Sequence, residues 1–386
     1  MITPSRTIKS GWKVWRFDEM VENVNVRIDN PSESGMEHYV GLEHLDADSL
    51  KIRRWGTPDD VEATKLMFKK GDIIFGRRRA YQRKLGVAEF DGICSAHAMV
   101  LRAKPDVVLP ELLPFFMQSD LFMNRAVEIS VGSLSPTINW KTMAVQEFAL
   151  PPKDEQKKLL GGLARFEEYL ELAESLSDSA EKLRHSLMID HFESSYPEYR
   201  KVSEIGKWHS GGTPSRGNAA FWGGPIPWVS PKDMKLAELD SAEETLTAKG
   251  VEAGSRLMPQ DTIMIVVRGM ILAHTFPVAR TLVPAAFNQD MKALVVSEEY
   301  RPKYIHYWFE YAAPRYLRLV SESSHGTKRL ESDKLFSLAV PKIDLDEQDA
   351  FITEVDGVRA AASKAKSRCA EAMTMKRYFL HQHLAS

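Results

Sequence analysis

The sequence is short of the residue types that mark secreted, membrane-spanning or metal-stabilised proteins. Its two cysteines, Cys94 and Cys369, lie far apart and form no Cys-x-x-Cys pair, so neither a disulfide framework nor a structural zinc site is expected. No apolar run approaches the ~18 residues that a membrane span needs. The segment Met1–Trp15 has no apolar core of signal-peptide length. The sequence therefore predicts a cytoplasmic protein that has no membrane partner.

An excess of charge of either sign is also lacking. The chain has 386 residues with 51 Lys plus Arg and 53 Asp plus Glu, which gives a formal net charge of −2. This balance argues against a uniformly basic nucleic-acid-binding surface, although it permits a local basic patch. With 44% hydrophobic and 27% charged residues, the composition is that of a globular chain long enough for two or three domains.

The motifs of common active sites are missing as well. The chain contains no GxxxxGK[ST] phosphate loop, no GxGxxG that opens a helix after a strand, no HExxH and no GxSxG nucleophile elbow. Asp154 and Glu155, between Lys153 and Lys157, loosely match a nuclease motif, but adjacent carboxylates at a helix start favour a capping role. We therefore predict no catalytic residue, no metal ligand and no cofactor in this chain.

What the chain does contain is an internal repeat. Asp154-Glu155-Gln156 recurs as Asp346-Glu347-Gln348, an offset of 192, and each copy lies between a β-prone stretch ending in proline and a long helical pattern. The segments between are β-prone runs bounded by Gly, Pro and Asp, each closing with a helical stretch. This predicts an α/β (α+β) class with α/β domains over 1–150 and 197–340, long helices over 151–196 and 341–386, and a hinge at Tyr196–Arg200.

Apolar residues recur at steps of three and four along both predicted helices, as in a coiled-coil seam. The first copy is Leu-rich and the second Ala-rich, which allows two helices to approach closely. A plain dimerisation coiled coil is the alternative on periodicity alone. In the second copy Arg368 interrupts the stripe, and Cys369 beside it can fill that step. We expect helix packing through Leu159, Leu163, Phe166, Leu170, Ala173, Leu176, Ala180, Leu183 and Leu187, and through Phe351, Val355, Val358, Ala362, Ala365, Ala372, Met375 and Phe379.

A cationic segment, residues 77–84, directly follows a β-prone run in the first domain. Arginine can bind guanine O6 and N7, glutamine can pair with adenine, and further cations neutralise phosphates. A solvated loop is the alternative. We therefore predict DNA contacts from Arg77, Arg78, Arg79, Tyr81, Gln82, Arg83 and Lys84.

Further hydroxyl and basic residues follow glycines elsewhere in both domains. The second domain shows no segment that matches 77–84 in composition, so its candidates are scattered. For Trp222 and Trp228 we expect a place in the hydrophobic core rather than stacking on a base. Thr213, Ser215 and Arg216 could donate hydrogen bonds to phosphate oxygens. Lys328 and Arg329, which follow Gly326, are candidates for phosphate or base contacts, with an exposed turn as the alternative. The remaining predicted DNA contacts are Ser133, Thr137, Thr213, Ser215, Arg216, Lys232, Arg268, Lys328 and Arg329.

Motifs at the start of the second domain carry a family resemblance. The stretches Ser210-Gly211-Gly212-Thr213-Pro214-Ser215 and Phe221-Trp222-Gly223-Gly224, followed by Ile226-Pro227-Trp228-Val229-Ser230-Pro231-Lys232-Asp233-Met234, resemble the specificity (S) subunits of type I restriction–modification systems. The Pro-Pro-x-x-Glu-Gln exit at Pro151–Gln156 adds to the resemblance, which extends over essentially the whole chain.

The resemblance implies two target-recognition domains joined by two antiparallel helices with pseudo-twofold symmetry. Each domain would read one half of a bipartite site in double-stranded DNA. The helix pair would set the spacing and dock two methyltransferase (M) subunits, which restriction (R) subunits join. S-adenosylmethionine, ATP and Mg would be held by those partner subunits. The alternatives are a coiled-coil adaptor without DNA binding, the specificity subunit of a related type IIB/IIG-like methyltransferase–nuclease system, and an enzyme, which the missing motifs disfavour.

Overall fold

The computed structural model describes residues 9–322 and 326–384 and divides the chain into two compact units. Unit 1 comprises Met1–Glu174 and Lys366–Ser386, and unit 2 comprises Ser175–Ala365. Each unit holds one sheet-containing domain and about half of each long helix. The predicted boundaries after residues 150, 196 and 340 divide the chain by segment rather than by compact unit, and they stay a prediction. Residues 1–8, the first part of the segment Met1–Trp15 in which no signal peptide is predicted, lie outside the described residues.

Unit 1 is built from two four-stranded sheets, a two-stranded sheet and short helices. The strand orders are β2-β9-β6-β7, β3-β5-β8-β4 and β1-β10. In chain order the elements are β1 Lys13–Arg16, α1 Phe17–Met20, β2 Val21–Val24, β3 Arg27–Ile28, β4 Tyr39–Val40, β5 Lys65–Phe68, β6 Ile73–Gly76, β7 Leu85–Val87, β8 Gly92–Ser95, β9 Ala98–Ala103, α2 Leu113–Gln118, α3 Asp120–Glu128, α4 Trp140–Ala144, β10 Glu147–Leu150 and the long helix α5 Lys153–Phe192, whose first half belongs to this unit.

Strand β6 lies between two hydrophobic cores because successive side chains of a strand point to opposite faces. Ile73 and Phe75 belong to a core formed with helices α1 to α4, whereas Ile74 belongs to a core formed with the second sheet. All four residues of β6 are buried. Leu159 and Leu163 of α5 complete the first core, so the start of the long helix is fixed to the domain that precedes it.

Unit 2 repeats this plan with a five-stranded sheet, β12-β19-β16-β17-β14, and the smaller sheets β15-β13-β18, β11-β22 and β20-β21. In chain order the elements are β11 Tyr199–Lys201, β12 Gly206–Ser210, β13 Trp222–Val229, β14 Glu238–Leu239, β15 Thr245–Leu246, α6 Ala248–Gly254, β16 Ile263–Val266, β17 Val278–Thr281, β18 Ala286–Phe287, β19 Met291–Val296, α7 Pro302–Leu319, β20 Ser321–Glu322, β21 Lys328–Arg329, α8 Ser332–Leu335, β22 Ala339–Pro341 and the long helix α9 Leu345–Leu384, which begins in this unit.

The core of unit 2 lies between its central strand and helix α7. Strand β16 is buried along its whole length, and Tyr304, Tyr307 and Phe309 of α7 are fully buried beside it. Phe351 of α9 joins the same core. The predicted α/β (α+β) class with long paired helices is confirmed in both units, and so is the predicted repeat of its elements.

Within each unit the two long helices run antiparallel. In unit 1 the ring of Phe166 lies 5.8 Å from that of Phe379, and Glu167 pairs with the earlier residue Lys376. In unit 2 the last turn of α5 meets the first turns of α9, because Phe192 lies 5.2 Å from Phe351. Each helix has 40 residues, which corresponds to about 60 Å at ~1.5 Å per residue.

The buried stripe along these helices differs from the predicted one at three positions. Leu176, Leu183 and Met375 are 55%, 51% and 62% exposed. Ser177, which follows Leu176, and Lys376, which follows Met375, are buried instead, each at 5% exposure. The predicted stripe took two successive three-residue steps, and each such step turns the face back by about 60°. The buried positions instead step by four at these places, from Ala173 to Ser177 and from Ala372 to Lys376.

The other residues of the predicted stripe lie where they were expected. Phe166, Leu187, Val358 and Phe379 are half-buried. Cys369 is half-buried and Arg368 exposed, so the cysteine fills the step at which the arginine interrupts the stripe. Buried are Leu159, Leu163, Leu170, Ala173, Ala180, Phe351, Val355, Ala362, Ala365 and Ala372.

The segment predicted as a hinge is partly a strand. Tyr199 and Arg200 belong to β11, where they pair with Pro341 and Val340 of β22. The Tyr196 hydroxyl donates a hydrogen bond of 2.8 Å to the carbonyl of His191. Part of this stretch is therefore held by a sheet that the local sequence does not reveal, and the hinge itself stays a prediction. Among the helices of the described ranges, none is long and apolar enough to cross a lipid bilayer.

Candidate nucleic-acid interface

The cationic segment of unit 1, residues 77–84, forms the connection between β6 and β7, and we name it the arginine turn. The backbone N–H of Ile138 donates to the carbonyl of Arg77 at 3.0 Å, and the N–H of Arg79 donates to the carbonyl of Pro136 at 2.7 Å. A 3₁₀ turn follows over Ala80–Gln82. Arg79 and Arg83, on either side of it, have φ of +59° and +53°, a region that non-glycine residues rarely occupy. The backbone of the turn is therefore fixed at both ends.

Two guanidinium groups of the arginine turn are exposed and uncompensated. Arg78 and Arg79 donate to the hydroxyl of Ser135 at 2.7 and 3.2 Å, and neither has a carboxylate partner among the described residues. The pKa of the nearby His97 is lowered by its partial burial and then by the charges of Arg78, Arg77 and Lys65. Burial is the larger cause, and the three cations add to it because each disfavours a second positive charge on the His97 ring. Tyr81 adds an aromatic ring that is 54% exposed.

The other cations of the arginine turn are used inside the domain. Arg77 donates to the carbonyl of Ala96 at 2.9 Å, and Lys84 donates to that of Leu42 at 2.8 Å. Arg83 has the most partners. It forms ion pairs of 2.6 and 3.0 Å with Asp48 and Asp120, and it also donates to the carbonyl of Gln118.

The predicted set in unit 1 therefore divides into two groups by accessibility. Arg78, Arg79 and Tyr81 face solvent, and Ser133 is exposed in the adjoining loop. The half-buried residues are Arg77, Gln82, Arg83, Lys84 and Thr137. Leu134, beside Ser133, is 92% exposed and was not among the predicted contacts.

Unit 2 contains a turn with the same backbone hydrogen bonds, which the sequence comparison of the two domains did not find. The N–H of Leu330 donates to the carbonyl of Val267 at 2.9 Å, and that of Gly269 donates to Lys328 at 3.0 Å. A 3₁₀ turn then spans Met270–Ala273. The expectation that residues 77–84 have no counterpart in the second domain is therefore wrong for the backbone. The two turns share a hydrogen-bonding pattern, whereas their amino-acid compositions differ.

The predicted cations around this second turn are paired with carboxylates. Arg268 lies 3.9 Å from Asp290, and Lys328 lies 2.5 Å from Glu322. Arg329 lies 3.1 Å from Glu331. These pairs leave the charge of this surface close to balanced, unlike that of the arginine turn.

A second cluster in unit 2 is built on Arg216. Its guanidinium pairs with Glu244, with 3.0 Å between Nη2 and Oε2, and stacks over the ring of Trp222 at 4.1 Å. The hydrogen bond from Arg216 lowers the pKa of the Glu244 carboxyl, and the charge of Lys232 lowers it further. Trp228 is 3% exposed, as expected of a core residue. Sequence reasoning missed the pairing with Glu244, which lies 28 residues away.

The remaining candidates of unit 2 are polar surface residues. Ser215 and Lys232 are exposed, and the Thr213 hydroxyl, also exposed, donates to the side-chain oxygen of Gln289. These groups can donate to phosphate oxygens. Within the described ranges, no group of three or more His, Cys, Asp or Glu side chains could hold a metal ion.

Comparisons with known proteins find a family model and relatives that match part of the chain. Residues 10–182 match the model of the type I restriction modification DNA specificity domain. The specificity subunit of the type I restriction enzyme EcoR124I/EcoR124II of Escherichia coli is 38% identical over 167 residues, which are 43% of this chain and 41% of that protein. That of the enzyme MjaIX of Methanocaldococcus jannaschii is 29% identical over 161 residues, 40% of this chain and 36% of that protein. The matches thus span about two fifths of these relatives' length.

Solved structures extend the likeness in fold over nearly the whole chain. A chain from a structure on complex assembly and conformational transition of the type I R-M system aligns with a TM-score of 0.65 at 19% identity, covering 98% of this chain and 99% of that one. The S subunit of a type I restriction–modification system from M. genitalium aligns with a TM-score of 0.55 at 14% identity, covering 100% of this chain and 98% of that one. Both units therefore share the fold of these chains.

Proposed function

We propose that this chain is the specificity subunit of a type I restriction–modification system, and that it selects the DNA sequence on which partner subunits act. One observation carries this proposal. Arg78 and Arg79 project from a fixed turn, are exposed and have no carboxylate partner in the described part of the chain. Guanidinium groups in this state can bind phosphates or the guanine edge in the major groove.

The proposed target is a bipartite site in double-stranded DNA, with one half read by each unit. The repeat of the turn at Val267–Ala273 supports two reading surfaces of common origin. Each carries different side chains, so the two halves would differ in sequence. The long helices α5 and α9 would then set the distance between the halves.

The helix pair is also the proposed docking surface for two methyltransferase subunits. In unit 1 its apolar side chains Phe166, Tyr169, Met375 and Phe379 line an open groove of about 490 Å³. Leu172, which lies on α5 as Phe166 and Tyr169 do, is 65% exposed. Apolar surface of this kind marks interaction sites. In this proposal the chain is not an enzyme: the partners hold S-adenosylmethionine, ATP and Mg and carry out methyl transfer and, with restriction subunits, cleavage.

Binding measurements on the complex with its methyltransferase subunits test the role of the arginine turn. We expect Arg78→Ala and Arg79→Ala each to weaken DNA binding. A lost phosphate contact lowers the slope of log affinity against log salt by about 1, while a lost base contact relaxes one position of the motif. Arg125→Ala is the matched control, because Arg125 is similarly exposed in unit 1 but pairs with Glu128. Unchanged affinity, slope and motif in both variants would remove these arginines from the interface.

Methylome sequencing tests the function as a whole. Cells that express the chain with its methyltransferase partners should methylate a bipartite motif, and deleting the chain should abolish that methylation. If every methylated motif survived the deletion, the proposed function would be refuted. A complex that forms but binds no DNA would instead favour a coiled-coil adaptor.

A further inference from the structure

The turn of unit 2 exposes two large apolar side chains at its tip. Met270 is 63% exposed and Ile271 is 37% exposed, whereas Leu272 beside them is buried and anchors the turn in the core. No other structural role is visible for the two exposed side chains, since the backbone hydrogen bonds described above already fix the turn. We name Met270 and Ile271 the apolar tip.

The apolar tip takes the place that the arginine turn has in unit 1. Subtracting 190 from the residue numbers of the second turn gives those of the first. Both turns also close with one further shared hydrogen bond, from Gln82 N–H to the Arg79 carbonyl at 2.9 Å and from Leu272 N–H to the Gly269 carbonyl at 3.2 Å. Ile271 is therefore the positional equivalent of the exposed Tyr81.

Cations surround the apolar tip. Its 3₁₀ turn contacts the strand Lys328–Arg329, and Arg268 directly precedes it. The side chains of Arg268 and Arg329 remain 48% and 46% exposed although both are ion-paired. A polyanion can therefore still reach these guanidinium groups. An apolar centre with a cationic surround complements a DNA groove, which has phosphates along its edges and base edges within.

We propose that Met270 and Ile271 read thymine by contact with its C5 methyl group in the major groove. Thymine is the base that presents a methyl group there, and apolar side chains recognise it. This inference rests on the proposed function and specifies how the two halves of the target are recognised. In one half, arginines bind base edges or phosphates. In the other half, an apolar contact recognises an A·T pair.

Replacing thymine by deoxyuridine tests the inference, because it removes only the methyl group. The complex with its methyltransferase subunits is titrated with duplexes that carry its motif, with one thymine replaced at a time. We expect one replacement in one half of the motif to weaken binding about fourfold, the value for burying one methyl group. A Met270→Ala, Ile271→Ala double variant should bind the thymine and deoxyuridine duplexes equally at that position.

The double variant Leu236→Ala, Leu257→Ala is the matched control, because both leucines are exposed in unit 2, at 67% and 47%. It should keep the discrimination of the natural chain. Equal binding of thymine and deoxyuridine duplexes at every position by the natural complex would overturn the inference, as would discrimination that survives in the Met270, Ile271 variant. The preference of the natural complex for its motif over unrelated DNA is measured in the same experiment. If the natural complex shows no such preference, the proposed function itself is refuted. If it shows the preference but does not distinguish thymine from deoxyuridine, only the role of the apolar tip is refuted.

Discussion

Gln156 and Gln348 make equivalent hydrogen bonds near the starts of the two long helices, to partners that are also 192 residues apart. The side-chain oxygen of Gln156 accepts from the N–H of Leu109 at 2.9 Å, and that of Gln348 accepts from the N–H of Arg301 at 2.7 Å. Both glutamines are buried, at 1% and 0% exposure. In each unit the glutamine joins the first turn of a long helix to the adjacent domain.

The amide nitrogens of the two glutamines repeat the same pattern. Gln156 Nε2 donates to the carbonyls of Val107 and Pro151 at 3.1 and 2.9 Å. Gln348 Nε2 donates to those of Glu299 and Ile343 at 2.9 and 3.1 Å. Each glutamine thus satisfies three backbone groups that would otherwise lie unpaired, a strong constraint in a buried place.

Removing either glutamine should destabilise the protein to a similar extent. We expect Gln156→Ala and Gln348→Ala each to lower the free energy of unfolding by about 2–3 kcal/mol, since a buried donor and two acceptors lose their partners. Urea unfolding followed by circular dichroism measures the change. Gln382→Ala is the control, because Gln382 is exposed on α9. A loss below ~0.5 kcal/mol in both variants would show that water replaces the amide at these sites.

The same offset relates Arg184 to Lys376 and Glu310 to Gln118. Arg184 pairs with Glu310 at 2.9 Å in unit 2, and Lys376 donates to Gln118 at 2.6 Å in unit 1. Lys376 also pairs with Glu167 at 2.5 Å, and its side chain is 6% exposed against 24% for Arg184. The repeat has preserved a cation at this place in each helix with different degrees of burial.

Truncating the more buried cation should cost more stability. We expect Lys376→Ala to lower the free energy of unfolding by roughly 3 kcal/mol, because it leaves Glu167 and Gln118 without their partner. Arg184→Ala should cost less, since the Arg184 side chain is more exposed and its removal leaves no buried amide such as Gln118 without a partner. Thermal melts of the two variants compare them directly. An equal or larger effect of Arg184→Ala would contradict the link between burial and cost.

Arg83 should behave differently from its neighbours in the arginine turn. Its ion pairs with Asp48 and Asp120 hold the turn to the domain. We therefore expect Arg83→Ala to lower the melting temperature, whereas Arg78→Ala leaves it unchanged. Differential scanning calorimetry on both variants provides the comparison. If the Arg83→Ala variant melted at the same temperature as the natural chain, these ion pairs would contribute little to its stability.

His191 should make the stability of unit 2 depend on pH. Its ring stacks on that of Phe351, with 3.9 Å between centroids, and Nε2 lies 3.1 Å from the Tyr304 hydroxyl. Burial lowers the pKa of His191 to about 4, while an unfolded histidine titrates near pH ~6.5. The unfolded chain therefore binds the proton first, and stability is lost as pH falls from about 6.5 towards 4.

Replacing His191 should reduce this dependence. We expect His191→Gln to lose less melting temperature than the natural chain between about pH 7.5 and about pH 5. Melts across that range, followed by tyrosine and tryptophan absorbance, measure the difference. Parallel profiles for the two proteins would show that His191 does not contribute.

Much of the fold follows from local patterns in the sequence. The run Ile73-Ile74-Phe75 becomes a buried central strand because each face of a strand must find apolar partners. The 192-residue repeat and the helical periodicity predict two long helices, found at Lys153–Phe192 and Leu345–Leu384. Such features depend on neighbours within a few residues, and the sequence alone determines them.

The register of the helix seam was not decided by apolar residues alone. Ser177 and Lys376 lie in the buried stripe, while the leucine and methionine before them are exposed. A helix turns by a fixed angle per residue, so geometry sets which position faces inward once packing has begun. A polar residue is then accepted there if it finds partners, as Lys376 does in Glu167.

Which cations remain available for a ligand was decided only by tertiary structure. Arg78 and Arg83 stand five residues apart in one basic segment, and no local pattern distinguishes them. The carboxylates that pair with Arg83 come from 35 and 37 residues away in the chain. The sequence determined that this protein has a basic turn, and long-range ion pairing determined which of its charges are left to face solvent, because a charge is compensated by what folding brings near it.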